Sequence, residues 1–148
     1  MKNQIVVSRE FPLVLIPMIK EAKQSIKILM YSWRWYPEQV GSNIQKFNME
    51  IIKAKRRGVQ VSAVVNFDDF SRHMLAENIN IKATPTSNTM HIKMILIDSK
   101  YLITGSHNLT MNAFEINHEM SLISDDSESV KACETFFDNV VDLYGLGK

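Results

Sequence analysis

The chain has 148 residues, 45% of them hydrophobic and 22% charged, and a net charge of +1. Those numbers fit one ordinary soluble domain, residues 1–148, and exclude a broad electrostatic coat for a polyanion, although a local anion site stays open. No run of about 18 apolar residues offers a membrane span, and with Cys133 as the sole cysteine an intrachain disulfide and a cysteine-based metal cluster are both excluded.

At the N-terminus, the apolar patch in MKNQIVVSREFPLVLIPMIKEAKQ is broken by Ser8, Arg9, Glu10 and two prolines. It reads poorly as a secretory signal, so the expected setting is cytoplasmic. Pro12 suits the first turn of a helix continued by LVLIPMIKEAKQ, and Pro17 is expected to kink that helix or delay its start. SIKILMYS, 25–32, reads as a buried strand and WRWYPEQVGS as a loop. In NIQKFNMEIIKAKRRG, Ile44, Phe47, Ile51 and Ala54 form one helical stripe. Its last residues, KAKRRG, read as cations at a helix C-terminus capped by Gly58, with contact to a DNA backbone as the alternative. VQVSAVVN is a strand, DFSRHMLAENIN a short helix, INIKAT a short strand and TPTSNT a polar loop. Strands at 91–97 and 101–105 are joined by Asp98-Ser99-Lys100, NHEMSLIS is a last strand, and DSESVKACETFFDNVVDLYG a closing helix. Helices alternating with strands, then a late hairpin, predict a layered α/β/α sandwich with a mixed sheet.

The hairpin HIKMILIDSKYLITGSHN carries the chemistry. On a strand, His91 and Lys93 share a face and Asp98 falls on the other. Ser106 and Asn108, again two apart, return beside His91 through the turn. An imidazole, an ammonium, a hydroxyl and an amide then converge, a set suited to a phosphate. Lys93 supplies charge, Ser106 and Asn108 supply neutral donors, and His91 can attack phosphorus or carry protons. Gly105 would let the backbone approach a ligand closely. By the same parity His107 and His118 point away from the site and read as structural, and His73 lies on a surface helix with no role.

The spacing His91-x-Lys93, four residues, Asp98, six residues, Gly105-Ser106-x-Asn108, with Glu119 downstream in NHE, resembles the signature of the phospholipase D superfamily. EAKQSIKILMYS and AKRRGVQVSAVV are similar to its first two helix–strand pairs. The resemblance implies a phospholipase D-like fold and a metal-independent phosphodiesterase, with no cofactor. Most members carry two such motifs; a chain with one resembles the short homodimeric nucleases, in which two copies share one active site. It implies that His91 is nucleophile in one subunit and acid/base in the other, through a phosphohistidine. Lys93 and Asn108 would hold phosphoryl oxygens with Ser106 alongside, and Glu119 would orient an imidazole. Asp98 belongs to the catalytic signature, yet its parity makes it a structural anchor of the hairpin. The expected substrate is nucleic acid, DNA favoured over RNA, with no stable membrane association. The alternatives are a lipid-directed phospholipase D or phosphatidyltransferase, and a phosphodiester-binding module of a larger nucleic-acid-processing assembly. Trp33, Arg34, Trp35 and Tyr36 follow the first strand, either stacking bases of nucleic acid or packing a core or dimer interface.

Overall fold

The computed structural model describes residues 3–66 and 72–145. In chain order the elements are β1 (Asn3–Val7), α1 (Glu10–Glu21), β2 (Ser25–Met30), α2 (Asn43–Arg56), β3 (Gln60–Val65), α3 (Arg72–Ala76), β4 (Asn80–Ala83), β5 (Lys93–Ile97), β6 (Tyr101–Gly105), α4 (Met111–Glu115), β7 (Met120–Ser124) and α5 (Ser127–Tyr144). The seven strands form one sheet in the order β1-β7-β6-β5-β2-β3-β4. β2, β3 and β4 are parallel to one another and every other pairing is antiparallel, so the sheet is mixed.

Alternation of side chains sends successive residues to opposite faces, and the two faces bury different helices. Ile26, Ile28, Ala63, Ile95, Ile97, Ile103 and Ile123 pack on one face with Phe11, Leu15 and Ile19 of α1 and Ile44, Phe47 and Ile51 of α2. Leu29, Val64, Met94, Leu96 and Leu102 face the other way, against Val130, Phe137 and Val140 of α5. The result is an α/β/α sandwich, as the alternation of elements predicts. Among the described residues no helix is long and apolar enough to cross a membrane.

Two details differ from the sequence reading, and a third lies partly outside the described residues. α1 begins at Glu10, which puts Pro12 in its first turn as expected, and it runs through Pro17 without a delayed start. Pro17 and Leu13 are both exposed, so the Leu13 carbonyl that loses its N–H donor faces water and the helix continues. Second, β1 and α4 are additional elements. β1 buries only Val6 of its five residues, and α4 spans barely more than one turn, so neither carries a readable period. Third, residues 69–71 of the short helix expected over DFSRHMLAENIN lie outside the described residues; Arg72–Ala76 are helical.

The basic run KAKRRG is structural. Arg56 pairs with Glu77 at 3.0 Å, and Lys53 reaches Glu50 at 3.4 Å. Arg57 Nη2 donates to the carbonyls of Ile19 at 2.7 Å and Ala22 at 3.0 Å, satisfying the end of α1. Gly58 follows with φ 101°, the left-handed region that ends a helix.

Pairing register decides which ends of the strands meet. Met30 lies opposite Lys93, Met94 opposite Thr104, Gly105 opposite Ser121 and Val7 opposite Met120. The C-terminal ends of β1, β2, β3 and β6 therefore share one edge of the sandwich with the starts of β5 and β7. The 98–100 turn, the start of β2 and the basic run occupy the opposite edge.

Candidate active site

His91 is exposed and lies two residues before β5, not on it, while Lys93 opens the strand and is half-buried. The expectation that the two share a strand face is corrected: Lys93 Nζ bends back to donate to the His91 carbonyl at 3.1 Å. The ammonium also lies 5.3 Å from the centre of the Tyr31 ring. The His91 imidazole lies 5.2 Å from the same ring, tilted by 54°. Tyr31, the residue after β2, is thus an aromatic wall shared by both groups, and its quadrupole favours positive charge there. Sequence reasoning missed it; the available signal was its position at the end of the strand that pairs with β5.

Asn108 is fixed by the neighbouring chain segment. Its Oδ1 accepts the Ser32 N–H at 3.1 Å, and Leu109 N–H donates to the Ser32 carbonyl at 3.0 Å. With the oxygen engaged, the amide NH₂ is the free end, a donor suited to an anionic oxygen. Ser106 pairs with the start of β7: its N–H donates to the Met120 carbonyl at 3.0 Å, and its Oγ accepts the Met120 N–H at 3.0 Å. Its single hydroxyl proton goes to Glu119 Oε1 at 2.5 Å, so Ser106 holds the carboxylate here. Asn117 Nδ2 donates to Glu119 Oε2 at 3.0 Å. Within one chain Glu119 is therefore held by Ser106 and Asn117, not by His91.

Two further expectations are corrected. Asp98 is not with the catalytic set. It sits in the turn at the opposite edge, where Oδ1 accepts N–H groups of Lys23 at 3.1 Å, Gln24 at 2.7 Å and Ser25 at 3.1 Å, and Oδ2 that of Lys23 at 3.0 Å. It is the hairpin anchor that parity indicated, though the cause is the turn rather than strand alternation. Gly105 is required by β7, not by a ligand: a Cβ there would overlap the Met120 carbonyl oxygen and the Ser121 backbone.

His107 is buried and structural, as expected. Its ring stacks on Phe11 with centroids 4.0 Å apart and planes 8° from parallel. Nε2 lies 3.0 Å from the Ser8 carbonyl and Nδ1 2.7 Å from Ser121 Oγ. A carbonyl only accepts, so Nε2 carries the proton and Nδ1 accepts from the Ser121 hydroxyl; the neutral ring satisfies both bonds. Burial pushes its pKa down, against the Ser8 hydrogen bond and the Glu119 charge, which push it up. The unfolded chain thus binds the proton first, and stability is lost as pH falls from the ordinary histidine value of about 6.5 toward the lowered native one. Melting temperatures measured down that range should fall for the wild type and fall less for His107→Gln. Equal slopes would show that His107 does not carry this dependence.

The gathered groups lie on an open edge. The recess touching Lys93 and Gly105 holds only about 10 Å³, whereas a groove of about 790 Å³ lies at the Asp98 edge, between α1, Arg57 and Tyr101. The chemistry and the roomy groove are at opposite ends, and the residue chemistry is the better guide to the site. Among the described residues no three His, Cys, Asp or Glu side chains are grouped to hold a metal.

A mixed-sheet α/β/α sandwich carrying one His-x-Lys pair beside a Ser-x-Asn pair defines a phospholipase D-like domain. The chain belongs to the family described as "Cardiolipin synthase, PLD-like domain", whose model matches residues 15–141. A mitochondrial cardiolipin hydrolase of Xenopus laevis is 30% identical over 95 residues, 60% of this chain and 45% of that protein. The same-named human protein is 25% identical over 140 residues, 90% of this chain and 52% of its own length. The chain thus spans about half the length of these curated relatives. Among solved structures, NucT from Helicobacter pylori superposes with a TM-score of 0.77 at 24% identity, covering 95% of this chain and 96% of that one. The comparisons correct the cytoplasmic setting expected from the sequence: curated relatives from frog, mouse, human and dog are named mitochondrial, and the cytoplasmic reading is withdrawn.

Proposed function

We propose that the chain, acting as one domain, is a metal-independent phosphodiesterase that cleaves nucleic acid, its active site completed by a second copy. The observation that carries this is one imidazole, His91, set with Lys93 against the Tyr31 ring on the open edge that also carries the Asn108 amide. One histidine cannot both attack phosphorus and already be protonated to release the leaving oxygen. Two copies related by a twofold axis supply both roles from the same residue.

In this mechanism the neutral His91 of one copy attacks phosphorus in line and forms an N–P bond. The partner's His91, protonated, gives its proton to the leaving oxygen as the P–O bond breaks. That ring, now neutral, takes a proton from water, which attacks phosphorus and breaks the N–P bond, and the first imidazole is released. Lys93 and the Asn108 NH₂, from both copies, neutralise the equatorial oxygens. Glu119, aligned by Ser106 and Asn117, stabilises the imidazolium across the axis.

Purified protein incubated with labelled DNA, labelled RNA and cardiolipin vesicles in excess EDTA tests this reading. Nucleic acid should be cut at an undiminished rate. Loss of cutting in EDTA with recovery in magnesium would assign the reaction to metal ions instead. The lipid reading is favoured by the family description and by the names of the curated relatives. Hydrolysis of cardiolipin with nucleic acid left intact would establish it in place of ours.

A further inference from the structure

The loop after β2 is held with more care than a connection needs. Trp33 is fully buried, and its Nε1 donates to Asn48 Oδ1 at 2.7 Å. Asn48 Nδ2 donates to the Arg34 carbonyl at 2.9 Å, and Gln45 Oε1 accepts the Tyr36 N–H at 2.8 Å. The Tyr36 hydroxyl accepts the Met111 N–H at 2.8 Å, and Arg34 N–H donates to the Leu109 carbonyl at 3.0 Å. Gln45 and Asn48 are 2% and 0% exposed, so α2 commits two buried amides to fixing this loop. Core packing therefore accounts for Trp33 and Tyr36.

Trp35 also packs against the margin of this core but stays only half-buried. Its ring stacks on His73, with centroids 3.9 Å apart and planes 13° from parallel. Glu77, one helical turn on, lies 3.9 Å from His73 Nε2. A recess of about 510 Å³ is lined by Trp35, Tyr36, Pro37, Glu38 and Gln39. Among the described residues, Trp35 borders this recess and His73 does not. The platform shares its edge of the sheet with the candidate site, since Arg34 is bonded to Leu109, the residue after Asn108.

We infer that Trp35, braced by His73, is a stacking subsite for a nucleobase of the strand whose phosphodiester lies at His91. The inference rests on the nucleic-acid reading above and deepens it. Three features support a base. An aromatic plane accepts any base through its π-face. The ring is fixed before binding, so little ordering is needed on contact. The recess is of the size of ordinary ligand sites and carries the Gln39 amide and Glu38 carboxylate for the edge of a base.

The test uses the full chain with His91→Ala, so that no strand is cut during titration. A short single-stranded oligodeoxynucleotide and an abasic strand of equal length carry the same phosphates, and only the first carries bases. The base-containing strand should bind about tenfold more tightly than the abasic one and quench tryptophan emission. Trp35→Leu should bring the affinity ratio close to one, and Trp35→Phe should restore most of it. Emission of the buried Trp33 reports that the variants are folded. Equal affinity for the two strands, or a ratio that survives Trp35→Leu, overturns the subsite. So does equal quenching of Trp35 by cardiolipin vesicles. The two readings fail separately: a base-dependent ratio in a wild-type chain that cuts no strand would sink the nuclease and keep the subsite. A strand cut with no base-dependent ratio would do the reverse.

Discussion

Replacing His91 with alanine should lower the rate of phosphodiester cleavage by on the order of 10⁴-fold or more, with the fold retained. The effect is large because the substitution removes two roles in the shared site, nucleophile from one copy and proton donor from the other. The fold survives because His91 is exposed and precedes β5, and the contact it loses is an open-face one with Tyr31. Mixed dimers give the sharper measurement. A wild-type chain paired with His91→Ala still has only one of the two imidazoles, so the mixed species should be inactive. After equal mixing and full exchange, activity should fall to about one quarter of that of wild type at the same total concentration, the statistical share of intact pairs. A fall to one half would mean that each chain works alone, and would overturn the shared site.

Asp98→Asn should cost about 2 kcal/mol of stability and lower the melting temperature by on the order of 5 °C, while leaving kcat within a few-fold at low temperature. Asp98 and Ser99 both hold positive φ, 56° and 52°. Asparagine tolerates that conformation as well as aspartate does, so the backbone is not what changes. The loss lies in the acceptor. The carboxylate receives the N–H groups of Lys23, Gln24 and Ser25, which lead into β2. One amide oxygen, without charge, serves three donors less well. The experiment separates the two readings of this residue. A catalytic aspartate would show a stable fold with lost turnover; an anchor shows a weakened fold with turnover kept. Thermal melts together with rates measured well below the transition decide between them.

Much of the fold was legible along the chain because its signals are local. The stripe Ile44-Phe47-Ile51-Ala54 gives α2, and the apolar run of 25–32 gives β2. β1 was not legible, since an edge strand that buries one residue in five has no period to read. The extent of α1 was not legible either: Pro17 reads as a kink or a delayed start, whereas it lies inside the helix on an exposed face.

The sequence by itself determined which groups the candidate site offers: an imidazole at His91, an ammonium at Lys93, a hydroxyl at Ser106, an amide at Asn108 and a carboxylate at Glu119. Only the tertiary structure decided how they are held. Register sets Ser106 against Met120, and so directs its hydroxyl to Glu119. Tyr31 joins His91 and Lys93 because β2 lies beside β5 in the sheet. Gly105 serves strand packing because β7 approaches it there. Trp35 meets His73, 38 residues later, because parallel β2 and β3 deliver both loops to the same edge. The physical reason is common to all four. Residue type and local period are written within a few positions of the chain, whereas strand order and register depend on contacts between segments far apart in sequence, and no short window contains them.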